Sequence, residues 1–308
     1  MAGALADSVT VSAPGSVMIT GEHAVVYGHP AIVAAIEQRV TVALSFTEDA
    51  MLHITSGIAE PARLPMETLV SEGPYRFIVA AVLKYRDRLS GGLSITIRSE
   101  IDPTLGLGSS AAVTVAILAA LEGSAPDHLH AQALGIVRDL QGLGSGADLA
   151  ASLHGGVVSY QLAGDGRAIA QPLPAPPQMS LFNVGYKTPT AEVLARVAKA
   201  REENPSEIDA VYHDMGDMSA ETINLVREGN WDAIGAHLTA YQRLMRRLGV
   251  SDEALDAAVA RACAASGVIG AKISGSGLGD CVLALGDVPE SFTPVELASQ
   301  GVMFHANA

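Results

Sequence analysis

Cysteine is nearly missing from this chain: Cys263 and Cys281 are the only two in 308 residues, and neither stands in a metal-ligand spacing. That usage excludes a disulfide framework and fits a reducing compartment, so the expected location is the cytoplasm. Positive charge is scarce as well. Nineteen Lys and Arg face 33 Asp and Glu, a formal net charge of −14, which leaves no basic stripe for a nucleic-acid partner. Long apolar runs are also lacking. The most apolar stretch, Ala111 to Leu121, halts at Glu122 and is too short to span a bilayer, so no membrane partner is expected. The opening MAGALADSVTV has neither a basic start nor a sustained apolar segment, unlike a secretory signal. Because hydrophobic residues make up 49% and charged ones only 17%, long disorder is not expected, and this length suits two packed domains.

The pattern along the chain predicts an α+β arrangement. Ser8 to Ser12, Val17 to Thr20, Val40 to Phe46 and Met51 to Thr55 read as strands. Tyr75 to Leu89 has helical periodicity and stops at Ser90-Gly91-Gly92, and Leu93 to Arg98 is a β-branched strand. A helix near Asp127 to Leu140 leads into a short helix that carries Asp148, followed by a hairpin of Gly156 to Leu162 and Arg167 to Pro172. Beyond the prolines lie a strand from Met179 to Val184 and a largely helical stretch from Thr190 to Ser266. Val268 to Ser274 and Cys281 to Leu285 are the last expected strands. The closely spaced prolines of Pro172 to Pro177 are the expected linker, dividing the chain into 1–177 and 178–308 with a ligand cleft between them.

Glycine is plentiful and concentrated in three segments: APGSVMITGEHAVVYG from Ala13, PTLGLGSSAAVTVAILAAL from Pro103, and GAKISGSGLGDCVLAL from Gly270. The middle one carries the strongest chemical signal. In Pro103-Thr104-Leu105-Gly106-Leu107-Gly108-Ser109-Ser110-Ala111, Gly106 and Gly108 let the backbone turn several N–H groups inward as an anion nest. The helix opening at Ser109 then offers its unsatisfied N–H groups and positive dipole end to phosphate, and both serine hydroxyls can bond phosphate oxygens or a bridging metal. The plain alternative is a strand-to-helix turn with a serine cap. No lysine follows the last glycine, so this is not a Walker loop.

With that loop, the chain resembles the GHMP family of small-molecule kinases, whose loop reads Pro-x-x-x-Gly-Leu-Gly-Ser-Ser-Ala; Pro103 here stands one residue closer to the first glycine. Ala13-Pro14-Gly15, the run Gly21 to Gly28, and Lys272-Ile273-Ser274-Gly275-Ser276-Gly277 extend the likeness over nearly the whole chain, most closely to the family's mevalonate-phosphorylating branch. The resemblance implies a two-lobed fold, with an N-terminal domain like the second domain of ribosomal protein S5 and a ferredoxin-like C-terminal domain. It implies ATP along Pro103 to Ala111, Mg²⁺ at Ser109 and Ser110, and transfer of the γ-phosphoryl group to a small alcohol. The first expectation for that alcohol is mevalonate, giving phosphomevalonate. Gly142 to Asp148 matches the segment that carries the family's base, which makes Asp148 the candidate. Glu22, His23, Thr190, Gly275, Ser276 and Gly277 fall where the family contacts substrate. An ordinary polar turn would also explain Glu22 and His23, and a helix cap would explain Thr190. The family includes homodimers.

Three departures stand out. Ser16 occupies the place of the lysine that ends the family's first motif, offering a hydrogen bond at the reaction centre but no charge. Val137 falls where a metal-holding glutamate belongs, with Asp139 two positions on. Asp280 replaces the second glycine of a Gly-Gly-Cys ending. Lys187, Lys272 and Arg98 could restore the missing charge, although each reads individually as a solvated surface or loop residue. These changes keep two other readings open: a kinase for another alcohol, such as phosphomevalonate or a sugar-like polyol, and a non-catalytic nucleotide or metabolite sensor.

Overall fold

A computed structural model describes residues 8–306, so the first seven residues of the opening segment lie outside it. The chain runs β1 (Ser8–Thr20), β2 (Ala31–Thr47), β3 (Met51–Ser56), β4 (Ala62–Pro65), α1 (Arg76–Tyr85), β5 (Gly92–Ser99), α2 (Ser109–Glu122), α3 (Leu129–Gln141), α4 (Ala147–His154), β6 (Val157–Leu162) and β7 (Ala168–Leu173). It continues through β8 (Met179–Phe182), α5 (Thr190–Glu203), α6 (Pro205–Glu228), α7 (Trp231–Arg247), α8 (Glu253–Ala264), β9 (Val268–Ile273), β10 (Val282–Gly286), β11 (Thr293–Val295) and β12 (Met303–His305). These form an eight-stranded sheet ordered β12-β1-β2-β5-β3-β4, with β6 and β7 continuing from β2, and a four-stranded sheet ordered β11-β8-β10-β9.

The two expected strands at the start are one. β1 pairs with β2 from Ser8 to Thr20, and its register shifts between Pro14 and Gly15. The bulge accommodates a proline that has no N–H to give to the ladder. Residues 31–36 of β2 are all buried, so this end of the strand is apolar on both faces and shows no alternation; from residue 40 the usual in-and-out pattern returns. Helix α2 explains the alanine-rich run. It is apolar all round because β1, β2, α1, α3 and α4 surround it, and small side chains let these elements come close.

The expected linker needs correction. Pro172 is not linker: it lies in β7, opposite Val158 of β6, so the connection between the sheets is confined to 174–178. The chain end also leaves the second sheet and returns to the first, where β12 pairs with β1. Arg39, 9% exposed, fastens this return by donating to the carbonyls of Gln300 and Gly301 and to Ser12 Oγ.

Candidate active site

The three glycine segments meet where β1, the loop before α2 and the loop between β9 and β10 converge. Ser16 N–H donates to the Leu107 carbonyl at 3.1 Å. The approach is so close that a Cβ on Gly108, where φ is +69°, would lie 2.0 Å from Ser16 Oγ. Gly108 therefore serves two needs at once: a left-handed backbone at the start of α2, and room for β1. No side chain caps α2, so the N–H groups of its first turn have no side-chain competitor for an anion. Cys281 Sγ donates to the Leu105 carbonyl at 3.1 Å and ties the third segment to the same loop.

Asp148 stands in the first turn of α4, and Ser16 Oγ donates to its Oδ1 at 2.7 Å. The turn before it is held from behind. His130 Nε2 donates to the Gly146 carbonyl at 2.9 Å, and Tyr160 Oη donates to the Ser145 carbonyl at 2.6 Å. Burial raises the Asp148 pKa, opposed by the Ser16 hydrogen bond; Asp280 raises it further and Lys187 lowers it. A carboxylate so placed accepts a proton more readily than a solvated one.

His23 is buried and donates from Nε2 to the Ser276 carbonyl at 2.9 Å. Burial pushes its pKa down to about 4, against the pull of that hydrogen bond, so the ring is neutral at pH 7. Glu22 forms an ion pair with Lys272, the two side chains being 1% and 0% exposed. This corrects the surface reading of Lys272. Lys187 lies in a loop, as expected, but it is not simply solvated: it pairs with Asp280 at 3.5 Å, its side chain 23% exposed. Arg98 is exposed.

Two cavities share this region. The smaller, about 160 Å³, is lined among others by Glu22, His23, Ser145, Asp148, Gly275 and Ser276. The larger, about 530 Å³, is lined by Phe77, Ile78, Pro103, Ser109 and Lys187 among others. Ser110, Gln141 and Thr190 line both, so the spaces adjoin at the start of α2. Thr190 is the first residue of α5, with Pro189 at the cap position, so its hydroxyl is not spent on capping. Of the expected site residues, Ser16, Gly106, Leu107, Gly108 and Gly277 line neither space: Leu107 is core, and Gly277 allows the loop to pass Val250, whose carbonyl would lie 2.2 Å from a Cβ there. Val137 lines the smaller cavity, whereas Asp139 is exposed and lines neither. The larger space, apolar at Phe77 and Ile78 and opening on an uncapped helix start, fits a nucleotide. Among the described residues no three acidic, histidine or cysteine side chains cluster as metal ligands.

The sequence missed the Lys187–Asp280 and Lys272–Glu22 pairs. The signals that could have found them are a lone lysine inside the apolar strand Val268–Ile273, which needs a buried acid, and an acid inside a glycine loop, which needs a cation.

A two-lobed small-molecule kinase is the class that this fold and site define, and comparison with known proteins agrees. A family model of the GHMP kinases N terminal domain matches residues 76–156, and one of the GHMP kinases C terminal region matches residues 222–296. A galactokinase galactose-binding signature matches residues 3–46. The mevalonate kinase of Archaeoglobus fulgidus is 31% identical, over 94% of this chain and 98% of its own length. The structure of L. major mevalonate kinase in complex with R-mevalonate is similar with a TM-score of 0.69 and 25% identity, over 89% of this chain and 86% of that one. Lactococcus lactis galactokinase complexed with galactose has a TM-score of 0.80 at 18% identity, over 98% and 96% of the two chains, a likeness of fold alone. The chain belongs to the GHMP kinase family. It is accordingly a kinase that phosphorylates a small alcohol, in a family that uses ATP.

Proposed function

We propose that this kinase transfers the γ-phosphoryl group of ATP to the hydroxyl of mevalonate, with Asp148 as the base. The observation that carries the reading is the position of Asp148, at the wall of the smaller cavity with one oxygen engaged by Ser16 at 2.7 Å. Oδ2 is then the oxygen available to an alcohol proton, and burial holds the carboxyl above its ordinary range. The N–H groups at the start of α2 hold phosphate, and Ser109 and Ser110 would hold Mg²⁺, which supplies charge neutralisation when bound. Neutral His23, Gly275 and Ser276 shape the alcohol side, and Thr190 faces both ligands. Mevalonate is favoured by the names of the sequence relatives; residues 1–177 would then supply most nucleotide contacts and 178–308 would close the cleft.

The galactose-binding signature over residues 3–46 favours a second reading, a sugar-like polyol in the same cavity. One experiment separates them: ADP release with Mg·ATP and mevalonate, phosphomevalonate or galactose, the product identified by phosphorus NMR. Mevalonate is expected to give the highest kcat/KM. A higher value for galactose replaces the substrate assignment. ATP binding without ADP from any alcohol rejects phosphoryl transfer and leaves a nucleotide sensor.

A further inference from the structure

We propose that Lys187, positioned by Asp280, is the cationic catalytic residue of this kinase: it contacts the terminal phosphate of the nucleotide and supplies the charge that Ser16 lacks. The inference rests on the phosphoryl-transfer reading and adds a residue to it.

The backbone at Lys187 is fixed by the third glycine loop. Thr188 N–H donates to the Leu278 carbonyl at 3.0 Å. At Gly279, where φ is +105°, a Cβ would lie 2.5 Å from the Tyr186 carbonyl oxygen and 2.8 Å from Lys187 Cα, so only glycine permits this approach. Asp280 then holds the side chain. It is 3% exposed, and its Oδ2 accepts from Ser276 N–H, from Ser276 Oγ at 2.8 Å and from Gly277 N–H at 3.2 Å. Its Oδ1 has no hydrogen bond and faces Lys187 Nζ at 3.5 Å. A buried carboxylate oxygen with a single cation for company fixes that cation strongly.

Both charged ends aim at the phosphate loop. A Cβ on Gly106 would lie 2.5 Å from Asp280 Oδ1 and 3.2 Å from Lys187 Nζ. An ammonium carries three donors, so one carboxylate oxygen does not exhaust it. Lys187 also lines the larger cavity beside Ser109, Ser110 and Thr190. The other cation on that wall, Arg76, donates to the Gly73 carbonyl and lies over the Phe77 ring. The cation on the smaller cavity's wall would have to be His23, which is neutral. Phosphoryl transfer spreads negative charge over the transferred group, and a fixed cation in a water-poor site stabilises it. Ser16, bonded to Asp148, brings no such charge.

The test compares Lys187→Met, Lys187→Arg, Asp280→Asn and the double variant Lys187→Met/Asp280→Asn, which leaves no stranded buried carboxylate. Two readouts are taken: steady-state ADP release with mevalonate, and calorimetric binding of Mg·AMPPNP and of adenosine. Lys187→Met and the double variant are expected to lose about 100-fold in kcat with little change in the alcohol KM. Their Mg·AMPPNP affinity should fall about tenfold, with adenosine binding unchanged. Lys187→Arg should recover most of kcat, and Asp280→Asn should lower kcat while sparing the alcohol KM. Adding Ser16→Lys should rescue the double variant. A double variant that melts like the wild type and keeps wild-type kcat and Mg·AMPPNP affinity overturns the proposal. If the wild type phosphorylates none of the alcohols, the kinase reading fails separately, and the Mg·AMPPNP comparison alone decides whether Lys187 contacts phosphate.

Discussion

Replacing Lys272 with methionine should cost this protein about 4 kcal/mol of folding stability, and removing its partner as well should restore much of it. The Lys272 and Glu22 side chains are 0% and 1% exposed, so water screens neither charge. Lys272 reaches Glu22 Oε1 across 250 positions in sequence and lies 5.1 Å from the centre of the Tyr241 ring, while Glu22 Oε2 has no hydrogen bond. Breaking a buried pair from one side costs roughly 3–5 kcal/mol because it strands the other charge, and a desolvated cation–π contact adds up to about 2. Methionine keeps the apolar stem packed, which offsets part of that loss. In Lys272→Met/Glu22→Gln no charge is stranded, and the cost should drop to about 1–2 kcal/mol. Urea unfolding at pH 7, followed by far-UV circular dichroism, measures both. A single-variant loss below about 1 kcal/mol, the range of exposed pairs, would be incompatible with a buried, unscreened pair, as would a double variant at least as unstable as the single.

His23 sets a pH dependence. Its folded pKa is about 4 against 6.5 when unfolded, so between those values the unfolded chain takes up a proton that the folded chain refuses. Stability should therefore fall as pH drops from 6.5 towards 4, by at most about 3 kcal/mol, and urea unfolding of His23→Gln should show a flatter acid limb. Gly108→Ala places a Cβ 2.0 Å from Ser16 Oγ at φ +69°; it should lose at least about 1–2 kcal/mol in the same assay and bind Mg·AMPPNP more weakly. Ser16→Ala removes a hydrogen bond that lowers the Asp148 pKa, so the acid limb of the kcat profile should move to higher pH.

The parts of the site written in local chemistry were legible. The loop before α2 announces itself by Gly106 and Gly108, both at positive φ, followed by an alanine-rich run that only a surrounded helix tolerates. Asp148 follows Gly146, again at positive φ, in a short spacing that brings an acid to a helix start. What stayed hidden depends on residues far apart in sequence. Lys272 meets Glu22, and Lys187 meets Asp280, only after the two sheets assemble; each lysine alone looks like any surface cation. The buried half of β2 carries no alternation to mark its faces, and β12 is three residues long and pairs with β1 from the opposite end of the chain.

The proposed role of Asp148 is to take the proton of an alcohol phosphorylated by ATP. Its most direct test is steady-state ADP release with Mg·ATP and mevalonate, wild type beside Asp148→Asn. The asparagine keeps an oxygen for the Ser16 hydroxyl and the shape of the cavity wall. Turnover is expected in the wild type, with a loss of about 10³-fold in the variant and Mg·AMPPNP affinity retained. Equal turnover in both proteins would contradict it.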